Sequence, residues 1–259
     1  MKPLVRLPAG SIHTVMFDID DTLTTHGRLT AGAYGALERL KVAGKRVVCV
    51  TGRPAGWCDH IARMWPVDAV VGENGAFYFH FDGGRLHKRF HDPAEVRAAK
   101  RAKLQVIARA IVAAVPGSAL AADQSYRETD LAIDYCEDVS PLPLASAQRI
   151  AELMREAGLT ARISSIHVNG WFGDYDKLAM TRTLFAERFG ADIDETNETV
   201  AFVGDSPNDA PMFGFFRHSV GVANVRRYAG LLAAEPKFVT QAESGDGFAE
   251  LARHLLQKS

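Results

Sequence analysis

The stretch HTVMFDIDDTL at residues 13–23 opens as an apolar run and ends among three acids, Asp18, Asp20 and Asp21. Residues 13–20 read as a buried strand, so these acids fall at its carboxyl end. Outward from it, AGAYGALERLKVAG at 31–44 has helical spacing and closes on Gly44, a residue suited to ending a helix. RVVCVTGR at 46–53 is a second continuous apolar run, the pattern of a strand covered by helices on both faces. A short helix over 55–64 leads past Pro66 to a third run, DAVVGENGA at 68–76. Strands alternating with helices in this way predict an α/β fold whose Rossmann-like core is a doubly wound parallel sheet.

The alternation stops after residue 76. AFYFHFDGGRLHKRF reads as two short strands around Asp82-Gly83-Gly84, a hairpin signal. A long alanine-rich helix over 93–114 ends at Pro116-Gly117, and ETDLAIDYC at 128–136 alternates in polarity. PLASAQRIAELMREAG at 143–158 is a second helix, and TARISSIHVNGWF supplies one or two more strands. These elements make an inserted α+β cap domain. The predicted division is 1–81 for the first part of the core, 82–172 for the cap and 173–259 for the second part of the core. There a helix near 176–189, the run TVAFVGDS at 199–206, a short helix, HSVGVAN at 218–224, another helix and KFVT at 237–240 resume the core pattern.

Composition narrows the class. With 259 residues, 47% of them hydrophobic and 24% charged, and a net charge of -1, the chain has the profile of a globular protein, and collagen-like, disordered and disulfide-scaffold readings are excluded. Cys49, Cys58 and Cys136 are too few and too scattered for a disulfide framework or a C-x-x-C site, which favours a reducing, cytoplasmic setting. No run approaches the roughly 18 apolar residues of a membrane span, and the N-terminus lacks a signal-peptide pattern, so no membrane partner is expected. Near-zero net charge argues against a nucleic-acid partner. Between Arg85 and Arg109 eight basic residues face two acidic ones, which reads as a solvated helix face rather than a phosphate-binding surface. His80, His87 and His91 lie in the hairpin region at spacings that suit no metal site. A monomer or a homodimer is expected.

Ligands of open α/β sheets bind beyond the carboxyl ends of the strands. At those ends the chain carries Asp18-Ile19-Asp20-Asp21-Thr22, Thr51-Gly52-Arg53, Glu73-Asn74-Gly75 and Gly204-Asp205-Ser206-Pro207-Asn208-Asp209. Asp18 and Asp20 stand two apart, so an extended backbone points both to one side, and Asp205 from the later strand can face them. Three convergent carboxylates repel unless a cation joins them, and such hard oxygen ligands suit Mg²⁺.

Taken together, FDIDDTL at 17–23, VTGRP at 50–54, Lys177 in GDYDKLAM and GDSPND at 204–209 resemble the four motifs of the haloacid dehalogenase-like phosphohydrolases. Within them the chain looks like subfamily IIB, the Cof-type and sucrose-phosphatase-like group with a large inserted cap. The resemblance covers nearly the whole chain. It implies Asp18 as nucleophile, Asp20 as general acid and base, Thr51 holding the phosphoryl group and Lys177 as the balancing cation. It further implies Mg²⁺ held by Asp18, Asp20 and Asp205, with Asp209 supporting the metal shell or Lys177, and Gly52, Arg53, Asn74 and Asn208 at the substrate. Leu178 follows Lys177 where members of this group often carry glycine. Lys237 also precedes a strand, but the family places its lysine before the fourth motif. Specificity is expected in the cap and its rim, with Arg53, Glu73, Asn74, His167, Asn169 and Trp171 as candidates; Trp171 reads first as hinge packing.

The expected activity is therefore Mg²⁺-dependent hydrolysis of a small phosphorylated metabolite, a sugar or polyol phosphate, through an aspartyl-phosphate. The alternatives are a phosphomutase of the phosphomannomutase kind, with Arg85, Lys88 and Arg127 available for a second phosphate, and a non-catalytic module that binds a phospholigand or nucleic acid.

Overall fold

The computed structural model describes residues 1–257. In chain order its strands are β1 (Lys2–Pro3), β2 (Thr14–Phe17), β3 (Arg46–Val50), β4 (Ala69–Gly72), β5 (Phe77–Asp82), β6 (Arg85–Phe90), β7 (Ala119–Leu120), β8 (Leu131–Asp134), β9 (Thr160–Ile163), β10 (His167–Trp171), β11 (Val200–Gly204), β12 (His218–Gly221) and β13 (Phe238–Val239). The helices are α1 (Ala31–Val42), α2 (Ala55–Met64), α3 (Ala94–Ala114), α4 (Leu144–Glu156), α5 (Lys177–Phe189), α6 (Ala210–Phe215) and α7 (Ser244–Leu256). Nine strands form the core sheet in the order β1-β13-β12-β11-β2-β3-β4-β5-β6, and four form the cap sheet in the order β7-β8-β10-β9. From β1 to β4 every core pairing is parallel.

Both faces of the core sheet are covered, which explains its unbroken apolar strands. Successive residues alternate between two cores. Val15, Phe17, Val47, Cys49, Val70, Ala201 and Val203 pack on the side of α1, α2 and α7. Met16, Val48, Val50, Val71, Val200 and Phe202 pack on the side of α5 and α6. The cap sheet, in contrast, is covered on one side only. Leu131, Ile133 and Val168 join Leu104, Ala108 and Ile111 of α3 and Ile150, Ala151 and Met154 of α4 in a third core. With a side-chain period of two, the opposite face of β8 and β10 then carries Ala132, Asp134, His167 and Asn169. Register places His167 opposite Asp134 and Asn169 opposite Ala132.

Three features differ from the sequence reading. The hairpin around Gly83-Gly84 forms, with both glycines at positive φ, but β5 and β6 extend the core sheet by antiparallel pairing. Core pairing therefore continues to Phe90, past the expected 81/82 boundary. The third strand stops at Gly72 because Glu73, Asn74 and Gly75 follow at φ of 42°, 55° and 107°, which no strand accommodates. Helix α7 was not expected, yet Phe248, Leu251, Ala252 and Leu255 recur at helical spacing and bury against the α1 side.

The turn at 73–75 also seats the start of α5. A β-carbon on Gly75 would lie 2.0 Å from the Asp176 carbonyl oxygen, and its backbone is left-handed. Gly75→Ala is expected to lower the unfolding free energy by about 2–4 kcal/mol, read as a drop in the urea midpoint. An unchanged midpoint would show that α5 does not rest on this turn.

Candidate active site

The four strand-end segments meet under the polar face of the cap. Asp18 follows β2 directly and its amide still donates to the Val203 carbonyl of β11 at 3.0 Å. This pairing sets the first acid beside the start of the GDSPND turn. Lys177 is the first residue of α5, whose N-cap Asp176 accepts from the Ala179 amide at 2.8 Å. From there its ammonium reaches Asp18 Oδ1 at 3.0 Å and Asp209 Oδ1 at 2.7 Å. Asp209 can curl back because residue 204 is glycine; a β-carbon there would fall 2.4 Å from Asp209 Oδ2. That oxygen instead accepts from the amides of Asp205 and Ser206, at 3.1 and 3.3 Å.

Asp18, Asp205 and Asp209 bring one carboxylate oxygen each within 4.8 Å of one another, and all three residues are buried. Asp205 accepts from Thr22 Oγ1 at 3.3 Å and from Asn224 Nδ2 at 3.0 Å. Three carboxylates thus face the single ammonium of Lys177. An all-oxygen, over-negative and buried donor set of this kind fits a hard divalent cation. The side chain of Asp20 lies outside this set, in contrast to the expected ligand trio. Its carboxylate takes the guanidinium of Arg53 edge-on, with Nε at 3.0 Å from Oδ1 and 2.9 Å from Oδ2 and Nη2 at 2.7 Å from Oδ1. Asp209, expected only in support, stands in the carboxylate cluster in its place.

Thr51 is fully buried and its hydroxyl accepts from the Arg53 amide at 3.1 Å. Asn208 Nδ2 donates to Asn74 Oδ1 at 3.3 Å, and a β-carbon on Gly52 would press on the Asn74 amide at 3.2 Å. Glu73 points elsewhere. Its carboxylate accepts from the Ala55 amide of α2 at 2.9 Å and from the cap amides of Glu128 and Thr129 at 2.9 and 2.7 Å. Trp171 packs at the return of the cap, donating to the Tyr175 carbonyl at 3.1 Å and stacking on its ring.

The cap closes over this floor. Arg127 donates to the Gly52 carbonyl at 2.9 Å and is itself held by Asp123 and Asp130. Arg53 reaches up to Glu137 at 2.5 Å, and His167 Nε2 stands 2.8 Å from the other oxygen of Glu137. Between floor and roof, lined by Asp18, Asp20, Arg53, Arg127, His167, Asn169 and Asn208 among others, the centre of a water-sized sphere has only about 10 Å³ to move in, the room of about one water. Asp123, Asp130 and Glu137 escaped the sequence reading. The alternation in ETDLAIDYC signals the polar face that holds Asp130, but Asp123 and Glu137 sit in cap loops that no strand-end rule picks out.

Electrostatics follow from burial. Desolvation pushes Asp18 up to about 7; Lys177 pulls against it, while Asp209 and Asp20 add to the rise. Burial, then Asp209 and Asp18, hold Asp205 well above the carboxylate range. Burial opposes the charge on Lys177, but Asp18 and Asp209 outweigh it and raise its pKa. Folded Asp18 thus binds its proton at higher pH than in the unfolded chain, so its contribution to stability falls as pH rises from 3.8 to about 7. Removing that charge relieves the cost: Asp18→Asn in chelator-treated protein is expected to raise stability at pH 8 by on the order of 1–3 kcal/mol, and by less at pH 5. Thermal unfolding of both proteins at the two pH values checks this; a larger gain at pH 5 would contradict it.

Comparison with known proteins bears on the fold. Residues 15–106 match the model of the haloacid dehalogenase-like hydrolase family. No curated protein sequence matches the chain. Among solved structures, the C-terminal domain of C. albicans trehalose-6-phosphate phosphatase superposes with a TM-score of 0.69 at 14% identity, covering 98% of each chain. A Thermoplasma acidophilum protein gives 0.68 at 18% identity over 94% of this chain and 98% of that one. The sucrose-phosphatase of Synechocystis sp. PCC6803, solved with sucrose and phosphate, gives 0.61 at 16% identity over 93% and 97%. These likenesses extend the shared fold across core and cap alike, and the family match spans the first three of the four strand ends, from Asp18 to Gly75.

Proposed function

We propose that the protein is a magnesium-dependent phosphatase that hydrolyses the phosphate monoester of a small sugar or polyol through an aspartyl-phosphate on Asp18. The observation that carries this reading is Lys177, buried and bridging Asp18 and Asp209 at 3.0 and 2.7 Å, beside Asp205. A phosphate monoester is dianionic, so a carboxylate attacks it only where that charge is offset. Lys177 supplies part of the offset at the attacking oxygen. Mg²⁺ held by Asp18, Asp205 and Asp209 would supply the rest to the phosphoryl oxygens.

Asp18 attacks phosphorus in line, the bond from phosphorus to the alcohol oxygen breaks, and Asp20 gives that oxygen its proton. Asp20 then takes a proton from water, which attacks the same phosphorus and releases inorganic phosphate and free Asp18. Thr51, whose oxygen already accepts from the Arg53 amide, keeps its own proton to donate to the phosphoryl group, and the Gly52 amide is a second donor. The roof supports a hydroxylic leaving group, because Glu137, His167 and Asn169 present hydrogen-bonding groups there. The trehalose-6-phosphate and sucrose phosphatases among the structural relatives support the same class.

The phosphomutase reading needs cations for a second phosphate. Arg127 is already taken by Asp123, Asp130 and the Gly52 carbonyl, and Arg85 and Lys88 lie on β6 in the core sheet, Lys88 paired with Asp59. The basic stretch also weighs against nucleic acid, since Arg89, Lys100 and Arg101 pair with Glu187, Asp92 and Glu128. No described helix is long and apolar enough to cross a membrane, and the free thiols of Cys49, Cys58 and Cys136 support the cytoplasmic placement.

A phosphate-release screen over sugar and polyol phosphates, with p-nitrophenyl phosphate as a generic substrate, tests the proposal. Turnover is expected with Mg²⁺, to vanish with chelator and to return on adding the ion. Asp18→Asn is expected to lower turnover by about 10³-fold or more with the fold intact. Near-normal turnover in that variant would remove Asp18 as nucleophile, and a wild type that releases no phosphate from any substrate would sink the phosphatase reading.

A further inference from the structure

We propose that Glu137, a cap residue, acts through Arg53 as a positioning residue for Asp20, so that proton exchange with the reacting oxygen is competent only when the cap is closed. This rests on Asp20 being the general acid and base. Arg53 is 4% exposed and stands on the seam between core and cap. One edge of its guanidinium anchors Asp20, giving Oδ1 two donors, at 3.0 and 2.7 Å, and Oδ2 only one, at 2.9 Å. Asp20 is thereby fixed in plane and rotation.

The guanidinium is fixed from three other sides. Nη2 meets Glu137 Oε1 at 2.5 Å, Nη1 lies 3.4 Å from both Glu137 Oε2 and Asp123 Oδ2, and the Trp57 ring stacks beneath at 4.3 Å. Glu137 and Asp123 belong to the cap. Glu137 is held in turn through its amide, which donates to Asp134 Oδ1 at 2.8 Å, while His167 Nε2 stands 2.8 Å from its Oε2 without hydrogen-bond alignment. A chain of side chains, Glu137, Arg53 and Asp20, therefore runs from the cap to the proposed acid.

A closed site with room for about one water cannot admit a phosphorylated sugar, so the cap must lift. Lifting withdraws Glu137 and Asp123 from Arg53, a long side chain whose head then has nothing from above to hold its edge against Asp20. Closure restores the clamp. Proton help of this kind is worth about 10²–10⁴ in rate, and tying it to closure suppresses turnover while bulk water has access.

Leaving-group dependence tests the coupling. The alkoxide of a hexose 6-phosphate needs a proton; the nitrophenolate of p-nitrophenyl phosphate does not. First-turnover alcohol release is measured by rapid quench with both substrates in the wild type, Glu137→Gln, Arg53→Lys and Asp20→Asn. Glu137→Gln is expected to slow release from the hexose phosphate by about tenfold or more and from the nitrophenyl ester by less than about threefold, in the rate constant rather than in KM. Arg53→Lys, which lacks a two-edged head, is expected to show the same split and carries the test if Glu137→Gln does not fold. A selective loss in Asp20→Asn beside an equal loss on both esters, or none, in Glu137→Gln overturns the coupling and leaves the acid–base reading standing. No selectivity in Asp20→Asn overturns the acid–base reading and the coupling together.

Discussion

Among the described residues Lys177 stands as the one ammonium facing the buried carboxylates of Asp18, Asp205 and Asp209, and much of the chain is arranged to bring it there. Because Lys177 begins α5, directly after the cap, the insertion has to hand the chain back to the floor of the site. The left-handed turn at Glu73-Asn74-Gly75 receives it, with Gly75 leaving room for the Asp176 carbonyl. On the other side Gly204 leaves room for Asp209 to fold over the Asp205 and Ser206 amides. Gly75 makes room for the backbone that opens α5 and Gly204 for the Asp209 carboxylate, so a side chain at either would displace one end of the ion pair. Unpaired, such buried charges are costly, so the ion pair sets the backbone as much as the backbone sets the ion pair.

The core and the cap meet the problem of burial differently, and that difference creates the roof. Core strands have helices on both faces and carry apolar residues throughout. Cap strands have helices on one face only, which frees the alternate positions of β8 and β10 for polar groups. A one-residue slip of β10 against β8 would turn His167 and Asn169 into the cap core and Val168 toward the site. The register of two short strands therefore decides which groups face the site floor.

Legibility in the sequence followed the same divide. Asp18, Thr51, Asp205, Asn208 and Asp209 sit at the ends of strands, where local pattern and topology together fix position, whereas Lys177 was placed by the family resemblance alone. The spacing of two predicts that Asp20 points to the same side as Asp18, and its role came from the family resemblance; the next three residues form a turn, Asp21 at a φ of 52°, and the carboxylate turns to Arg53. Asp123 and Glu137 were invisible because a loop residue's place depends on the fold of the whole cap. The hairpin at 77–90 was recognised but assigned across the wrong boundary, since hairpin chemistry says that two strands pair with each other and nothing about which sheet they join. Helix α7 is legible in the spacing of Phe248, Leu251, Ala252 and Leu255, whose apolar positions have the helical period.

Opening the cap leaves the three apolar cores whole. The cap core contains only cap residues, and the two core-sheet clusters contain only core residues apart from Trp171 and Tyr175 at the return of the insertion. The seam beside the site is instead polar: Arg127 on the Gly52 carbonyl, Glu73 on two cap amides, Arg53 on Glu137 and Asp123. When such contacts part, water replaces each lost partner, so the net change per hydrogen bond is only about 0.5–1.5 kcal/mol, whereas separating apolar faces has no such replacement. A polar seam can therefore hold the site shut to one water's width and still release it. Its groups also differ in what they touch: Arg127 and Glu73 bear on the strand ends at Gly52 and Glu73, while Glu137 bears on Arg53 and through it on Asp20. On the proposed mechanism, closure would then reach the binding groups and the proton-transfer group by separate contacts, and a substrate that fits the floor but leaves the Glu137 edge displaced would be bound yet turned over slowly.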